Sequence, residues 1–178
     1  MRLFALIVVA GAIFGGLLTP RGGGSGSASA GAAREFSRSV DADPREVMDA
    51  VRDSLRAEGL DLVSRADDGD RLRQVIPSTV LSREPDFASL ARYGDMIVTA
   101  RVGSSEAEVR TGFALISTAA HYRIVAAPGP DGKGSVVTIE PRVEEGTGRD
   151  SRRIARNLRA IIDRQARQAL EQLTASVD

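Results

Sequence analysis

The sequence predicts an α+β domain in which an antiparallel β-sheet grips a long C-terminal helix. Three observations predict it. A capped amphipathic helix lies near the start of the domain. A central series of alternating apolar stretches is separated by turn-forming residues. A closing segment, Ser151 to Val177, repeats its apolar residues at helical spacing. The domain spans residues 34–178, long enough to bury one core.

Residues 1–33 are composed differently. Met1-Arg2 precedes a run of 16 uncharged residues, Leu3 to Leu18. Such a run is long for the apolar part of a signal peptide and short for a bilayer-spanning helix, which needs about 20 residues. Residues 1–20 are therefore expected to be a cleaved signal peptide or a retained membrane anchor. The Ala28-Ser29-Ala30 pattern favours cleavage, while its distance from Leu18 opposes it. Either way the Arg2 end stays inside, so the domain is expected outside the cytoplasm, periplasmic or secreted. Residues 21–33 are almost wholly Gly, Ser and Ala, a linker with no apolar group to offset the entropy of ordering.

The elements follow in order. Glu35 to Val40 alternates as a strand. Asp43-Pro44-Arg45-Glu46 then reads as a helix start: Asp43 caps, Pro44 suits the first helical position and Glu46 completes a capping box. Val47, Met48, Val51 and Leu55 give the helix an apolar face, and Gly59 ends it. Leu60 to Arg65 and Arg71 to Ile76 form a hairpin around Asp67-Asp68-Gly69-Asp70. Within residues 77–95, Glu84-Pro85-Asp86 is expected to open a short helix carrying Phe87, Leu90 and Ala91. That segment is either a mobile loop over a pocket or a crossover connection.

From Asp95 the alternation is strong, with Met96, Val98, Ala100 and Val102 on one face. Gly103-Ser104-Ser105 turns into a strand from Glu108 to Ser117, with Val109, Thr111, Phe113 and Leu115 on one face. Ala119 to Ala127 and Val136 to Val143 form a last hairpin around Pro128 to Gly134. Pro141 places that strand end at an edge or bulge. The terminal stripe includes Ile154, Leu158, Ile161, Ile162 and Leu173. Burying its four largest central groups is worth ~6–12 kcal/mol as an upper estimate, at ~1.5–3 kcal/mol each.

Composition excludes several function classes. Lys plus Arg and Asp plus Glu each total 24, and residues 1–33 hold Arg2, Arg21 and no acid. The domain thus carries 22 basic and 24 acidic groups, a balance that argues against nucleic-acid binding. The absence of Cys excludes disulfides, thiolate metal sites and a thiol nucleophile. His121 is the single imidazole, either a general base or a structural side chain, and alternation puts Tyr122 on the opposite face. Asp67, Asp68 and Asp70 lack the further oxygens of a calcium loop. Gly129, Gly132 and Gly134 precede no helix, so they form no phosphate cradle. No cofactor and no catalytic residue is expected.

Arg149, Arg152, Arg153, Arg156 and Arg159 crowd the start of the last helix. Cations there oppose the helix dipole. Their partners are either Glu144 and Glu145, or an external anion such as a membrane headgroup or an acidic protein surface. Arg152 and Arg156 are the candidate anion or partner surface.

The stretch Phe36-Ser37-Arg38-Ser39-Val40-Asp41-Ala42-Asp43-Pro44-Arg45-Glu46-Val47 resembles the opening of START-like helix-grip proteins of the polyketide cyclase/dehydrase type. Thr138-Ile139-Glu140-Pro141 followed by Arg149 to Asp178 is similar to that superfamily's last strand and gripping helix. The resemblance implies a cavity between sheet and helix for a small hydrophobic or lipid-like ligand, without enzymatic chemistry. Met96, Val98, Phe113 and Leu115 would line it from the sheet, Leu158 and Ile162 from the helix, with Tyr93 at the mouth. A second resemblance rests on Glu58-Gly59-Leu60-Asp61-Leu62 and the charged turn after it. This resembles small α+β domains of bacterial envelope assembly lipoproteins, and implies an envelope protein–protein interaction domain with a solid core and no ligand.

Overall fold

The computed structural model describes residues 35–177. The expected signal or anchor and the linker lie outside the described residues. The chain runs β1 (Phe36–Val40), α1 (Pro44–Ala57), β2 (Asp61–Ala66), β3 (Gly69–Ile76), α2 (Ser78–Leu81), β4 (Met96–Val102), β5 (Glu106–Phe113), β6 (Ile116–Pro128), β7 (Ser135–Glu144) and α3 (Ser151–Val177). The seven strands form one antiparallel sheet in the order β1-β7-β6-β5-β4-β3-β2. With the long C-terminal α3 laid on it, the domain is of the α+β class and consistent with a helix-grip fold.

Local chemistry accounts for α1 at both ends. Asp43 Oδ1 accepts from the Arg45 and Glu46 amides at 2.8 and 2.9 Å, and Glu46 Oε2 accepts from the Asp43 amide at 3.0 Å. That is a complete capping box. At the other end Gly59 adopts φ +99°, and the amides of Gly59 and Leu60 reach back to Arg56 O and Leu55 O. This is a Schellman motif, which needs the left-handed conformation that glycine accepts.

Alternation positions the core. On β4, Met96, Val98, Ala100 and Val102 are buried, and β5, β6 and β7 bury Val109, Tyr122, Ile124, Val137 and Ile139 on the same side. α3 packs over β7, β1 and β6, α1 packs over β6, β5 and β4, and the two helices touch. The terminal helix therefore shares its face of the sheet with α1 instead of covering it alone.

Two local expectations are corrected. The strand expected from Glu108 to Ser117 is two strands: β5 ends at Phe113, Ala114-Leu115 makes the turn and β6 starts at Ile116. The turn contains no Gly, Pro or Asn. It is held instead by Asp95 O, which accepts from the Ala114 amide at 2.9 Å, and by Tyr93 O, which accepts from the Leu115 amide at 3.0 Å. Between β3 and β4, the helix lies at Ser78–Leu81 and not at Glu84. The stretch after Glu84 forms successive turns that close in a short 3-10 helix, Ala91–Tyr93, with Phe87 and Leu90 buried in the core. Pro141 lies past Ile139, the last described partner of β1, so β7 has a free edge there, as its proline implies.

The edge strand β2 carries a bulge between Leu62 and Ser64, and Val63 turns outward. Bulges of this kind blunt an edge against pairing with other chains. Among the described residues, no helix is long and apolar enough to cross a membrane.

Candidate functional site

Five of the side chains expected to line a cavity are core residues. Met96, Val98, Phe113, Leu158 and Ile162 are all at most 4% exposed and belong to one continuous cluster with Tyr122 and Ile124. None of them lines any of the three clefts described below.

Leu115 stands corrected outright. It sits in the β5–β6 turn at 71% exposure, because the strand it was assigned to ends two residues earlier. Its neighbour in space is the Tyr93-Gly94 turn. A Cβ on Gly94 would stand 3.1 Å from Leu115 Cγ.

Tyr93 does border a cleft, of ≈220 Å³, but at the start of α3. Ile116, Thr118, Gly148, Ser151 and Ile154 share its lining. Two arginines attend the Tyr93 ring. The Arg92 guanidinium lies 5.0 Å from its centroid, and Arg153 Nη2 donates to its hydroxyl at 3.5 Å. Thr118 Oγ1 accepts from the Gly146 amide and Ser151 Oγ donates to Gly148 O, so these two hydroxyls hold the β7–α3 connection.

The five arginines around the start of α3 divide into two sets. Arg152 Nε lies 3.7 Å from Glu145 and Arg153 Nη2 lies 3.2 Å from Asp150. Arg149, Arg156 and Arg159 are exposed and have no carboxylate partner among the described residues. Glu144, the other expected internal partner, faces away from α3. It meets His121 Nε2 at 2.9 Å and Arg110 at 3.8 Å on the outer face of the sheet. Contact with the His121 imidazole, aided by the Arg110 charge, holds the Glu144 carboxyl below the usual carboxylate range.

That outer face is a ladder of charges. Register aligns Glu140, Arg123, Glu108, Arg101 and Arg71 across five strands. Arg123 pairs with Glu106 through two bonds of 2.8 and 3.0 Å, which lowers the Glu106 pKa. A shallow cleft of ≈490 Å³ crosses this face near Arg73, Thr99 and His121. A more polar one of ≈560 Å³ lies at the opposite end of the sheet from Leu115, beside the β2–β3 and β4–β5 turns. There Asp68 meets Arg71 and Arg101, and Asp70 meets Arg52 at 2.9 Å, so these carboxylates are neutralised by arginine. Among the described residues no group of three or more His, Asp or Glu is placed to hold a metal ion.

Sequence reasoning missed the polar contact inside the core. Tyr122, on β6, donates to Gln165 Oε1 on α3 at 3.1 Å, both groups being buried. Gln165 falls on the apolar stripe of α3, which was the available signal.

No protein-family profile matches the chain, and no curated protein matches it. Among solved structures it is similar to DR_A0006 from Deinococcus radiodurans. The two are 15% identical, the match covers 77% of this chain and 96% of that one, and the TM-score is 0.38.

Proposed function

We propose that this chain is an exported, non-enzymatic interaction domain of the cell envelope, built on a START-like frame and acting through its surface. The observation that carries the reading is the packing of Met96, Val98, Phe113, Leu158 and Ile162 into one core. A binding protein for a small apolar molecule keeps a concave, largely preformed pocket among such side chains. Here none of those five side chains borders the three clefts, and the widest of these is lined mostly by charged and polar groups. Recognition then falls to the charged outer sheet face and to the arginine-bearing start of α3.

Export rests on Arg2 and the uncharged run Leu3 to Leu18. Fusing residues 1–33 to a reporter that is active only outside the cytoplasm tests it, and a silent fusion would overturn it. For the filled core, the full chain in solution is titrated with a fluorescent fatty acid. No saturable uptake is the expected result. Stoichiometric uptake that is lost in Leu158→Trp, a substitution that fills any space beneath α3, would replace this reading with the ligand-binding one.

A further inference from the structure

The topology gathers several unrelated segments at one end of the sheet. Met96 pairs with both Phe113 and Ile76, so the β5–β6 turn and the connection carrying Tyr93 lie together. Ala119 pairs with Glu144, which brings the β7–α3 connection and the first turns of α3 to the same end. β1 is antiparallel to β7, with Phe36 opposite Ile139, so the chain upstream of Phe36 comes from the Glu144 side. Glu35, where the described chain enters β1, therefore lies toward the end that carries Leu115, Tyr93 and the first arginines of α3.

We propose that this end docks on an anionic phospholipid surface. The proposal rests on the surface-acting reading above and names its partner. Two independent features fit a lipid surface. The first is charge: Arg149, Arg152, Arg153, Arg156 and Arg159 lie around Asp150 with no further acid before Asp163, and only Glu145 and Asp150 meet any of them among the described residues. Arg152 and Arg153, in the first turn where the helix dipole acts, are met by Glu145 and Asp150, whereas Arg149, Arg156 and Arg159 are left exposed to an external anionic layer. The second is apolar. Leu115 is the most exposed large hydrophobic side chain among the described residues, and it stands beside Tyr93, an aromatic with a polar tip. An apolar tip and an amphipathic ring ringed by arginine suit the boundary between headgroups and acyl chains. An acidic protein surface would satisfy the arginines but would leave Leu115 uncovered.

Because the chain has no Cys, a single introduced thiol labels uniquely. Ala114→Cys keeps Leu115 and carries an environment-sensitive fluorophore at the exposed turn. Ser104→Cys carries it at the β4–β5 turn, at the opposite end of the sheet. The full chain is reconstituted into phosphatidylcholine vesicles with and without phosphatidylglycerol, both doped with a lipid-borne quencher. The expected result is quenching at position 114, not at 104, in phosphatidylglycerol vesicles only, and its loss in 1 M salt, where charges are screened within about 3 Å. Arg156→Glu with Arg159→Glu, with unchanged circular dichroism, should lower the docked-to-free ratio roughly 30-fold or more. Equal quenching in both vesicle types, quenching at 104 instead of 114, or no response to salt and charge reversal would overturn the proposal. Fatty-acid uptake is read without vesicles, so failure of the filled-core reading is seen separately.

Discussion

Tyr122 and Gln165 join the sheet to its terminal helix by a buried hydrogen bond, the Tyr122 hydroxyl donating to Gln165 Oε1 at 3.1 Å. The bond fixes the position of α3 along β6, since apolar contacts around it have no directional preference of their own.

Tyr122→Phe is expected to cost about 1–3 kcal/mol, because it keeps the ring but leaves the Gln165 carbonyl without its donor. Urea unfolding measures this. A midpoint unchanged from the parent would show that the bond contributes nothing.

The same side chain gives the fold a pH limit. Burial, reinforced by the Asp163 charge, raises the Tyr122 pKa well above the usual tyrosine value. In the unfolded chain the phenol ionises near about pH 10. Above that pH the unfolded state has lost a proton that the folded state retains, so stability is full below about pH 10 and falls as pH rises. Thermal melts of the parent and Tyr122→Phe should therefore converge between about pH 9 and 11. Parallel alkaline limbs would contradict the assignment. Glu106 and Glu144, whose folded-state pKa values are lowered, act on the other limb. Their contribution is present above about pH 4.3 and is lost as pH falls; both are largely exposed, so it is small.

Leu158→Ala and Leu115→Ala should differ sharply although both remove the same atoms. Leu158 is fully buried, and truncating it should cost about 2–5 kcal/mol. Leu115 is exposed, and truncating it should change stability by no more than about 0.5 kcal/mol. Denaturation of the two variants side by side decides it; equal losses would place Leu115 in the core.

Asp43→Ala should destabilise by about 1 kcal/mol through loss of the capping box, and Asp43→Asn by less, since Asn also caps. A calorimetric melting temperature unaffected by Asp43→Ala would mean that the cap is dispensable.

The fold was legible where backbone chemistry is written in local residue types. Asp43, Pro44 and Glu46 mark one end of α1 and Gly59 the other, and strict alternation from Met96 to Val102 gives β4 its buried face. The β5–β6 turn was illegible because Ala114 and Leu115 carry no turn signal, and the bonds that hold them come from Asp95 and Tyr93, some twenty positions away. The same blindness put Leu115, an exposed tip, on the wall of a cavity. Pattern also identifies that Met96, Val98 and Ile162 point inward, but not whether a space is left among them, which depends on how closely α3 approaches. The pairing of Arg152 with Glu145, and of Glu144 with His121 on the far side of the sheet, likewise depends on which face each β7 residue takes as the strand ends.

The strand order has a kinetic corollary. From β2 through β7 each strand lies beside its predecessor in the sequence, so six strands can assemble through pairing of sequence neighbours, with only β3 and β4 separated by a longer connection. β1 alone must find a partner from the far end of the chain: Ser37 meets Thr138, 101 positions on. Long-range closure of this kind slows folding. In synthesis, Phe36–Val40 must wait without a strand partner until nearly the whole domain has emerged.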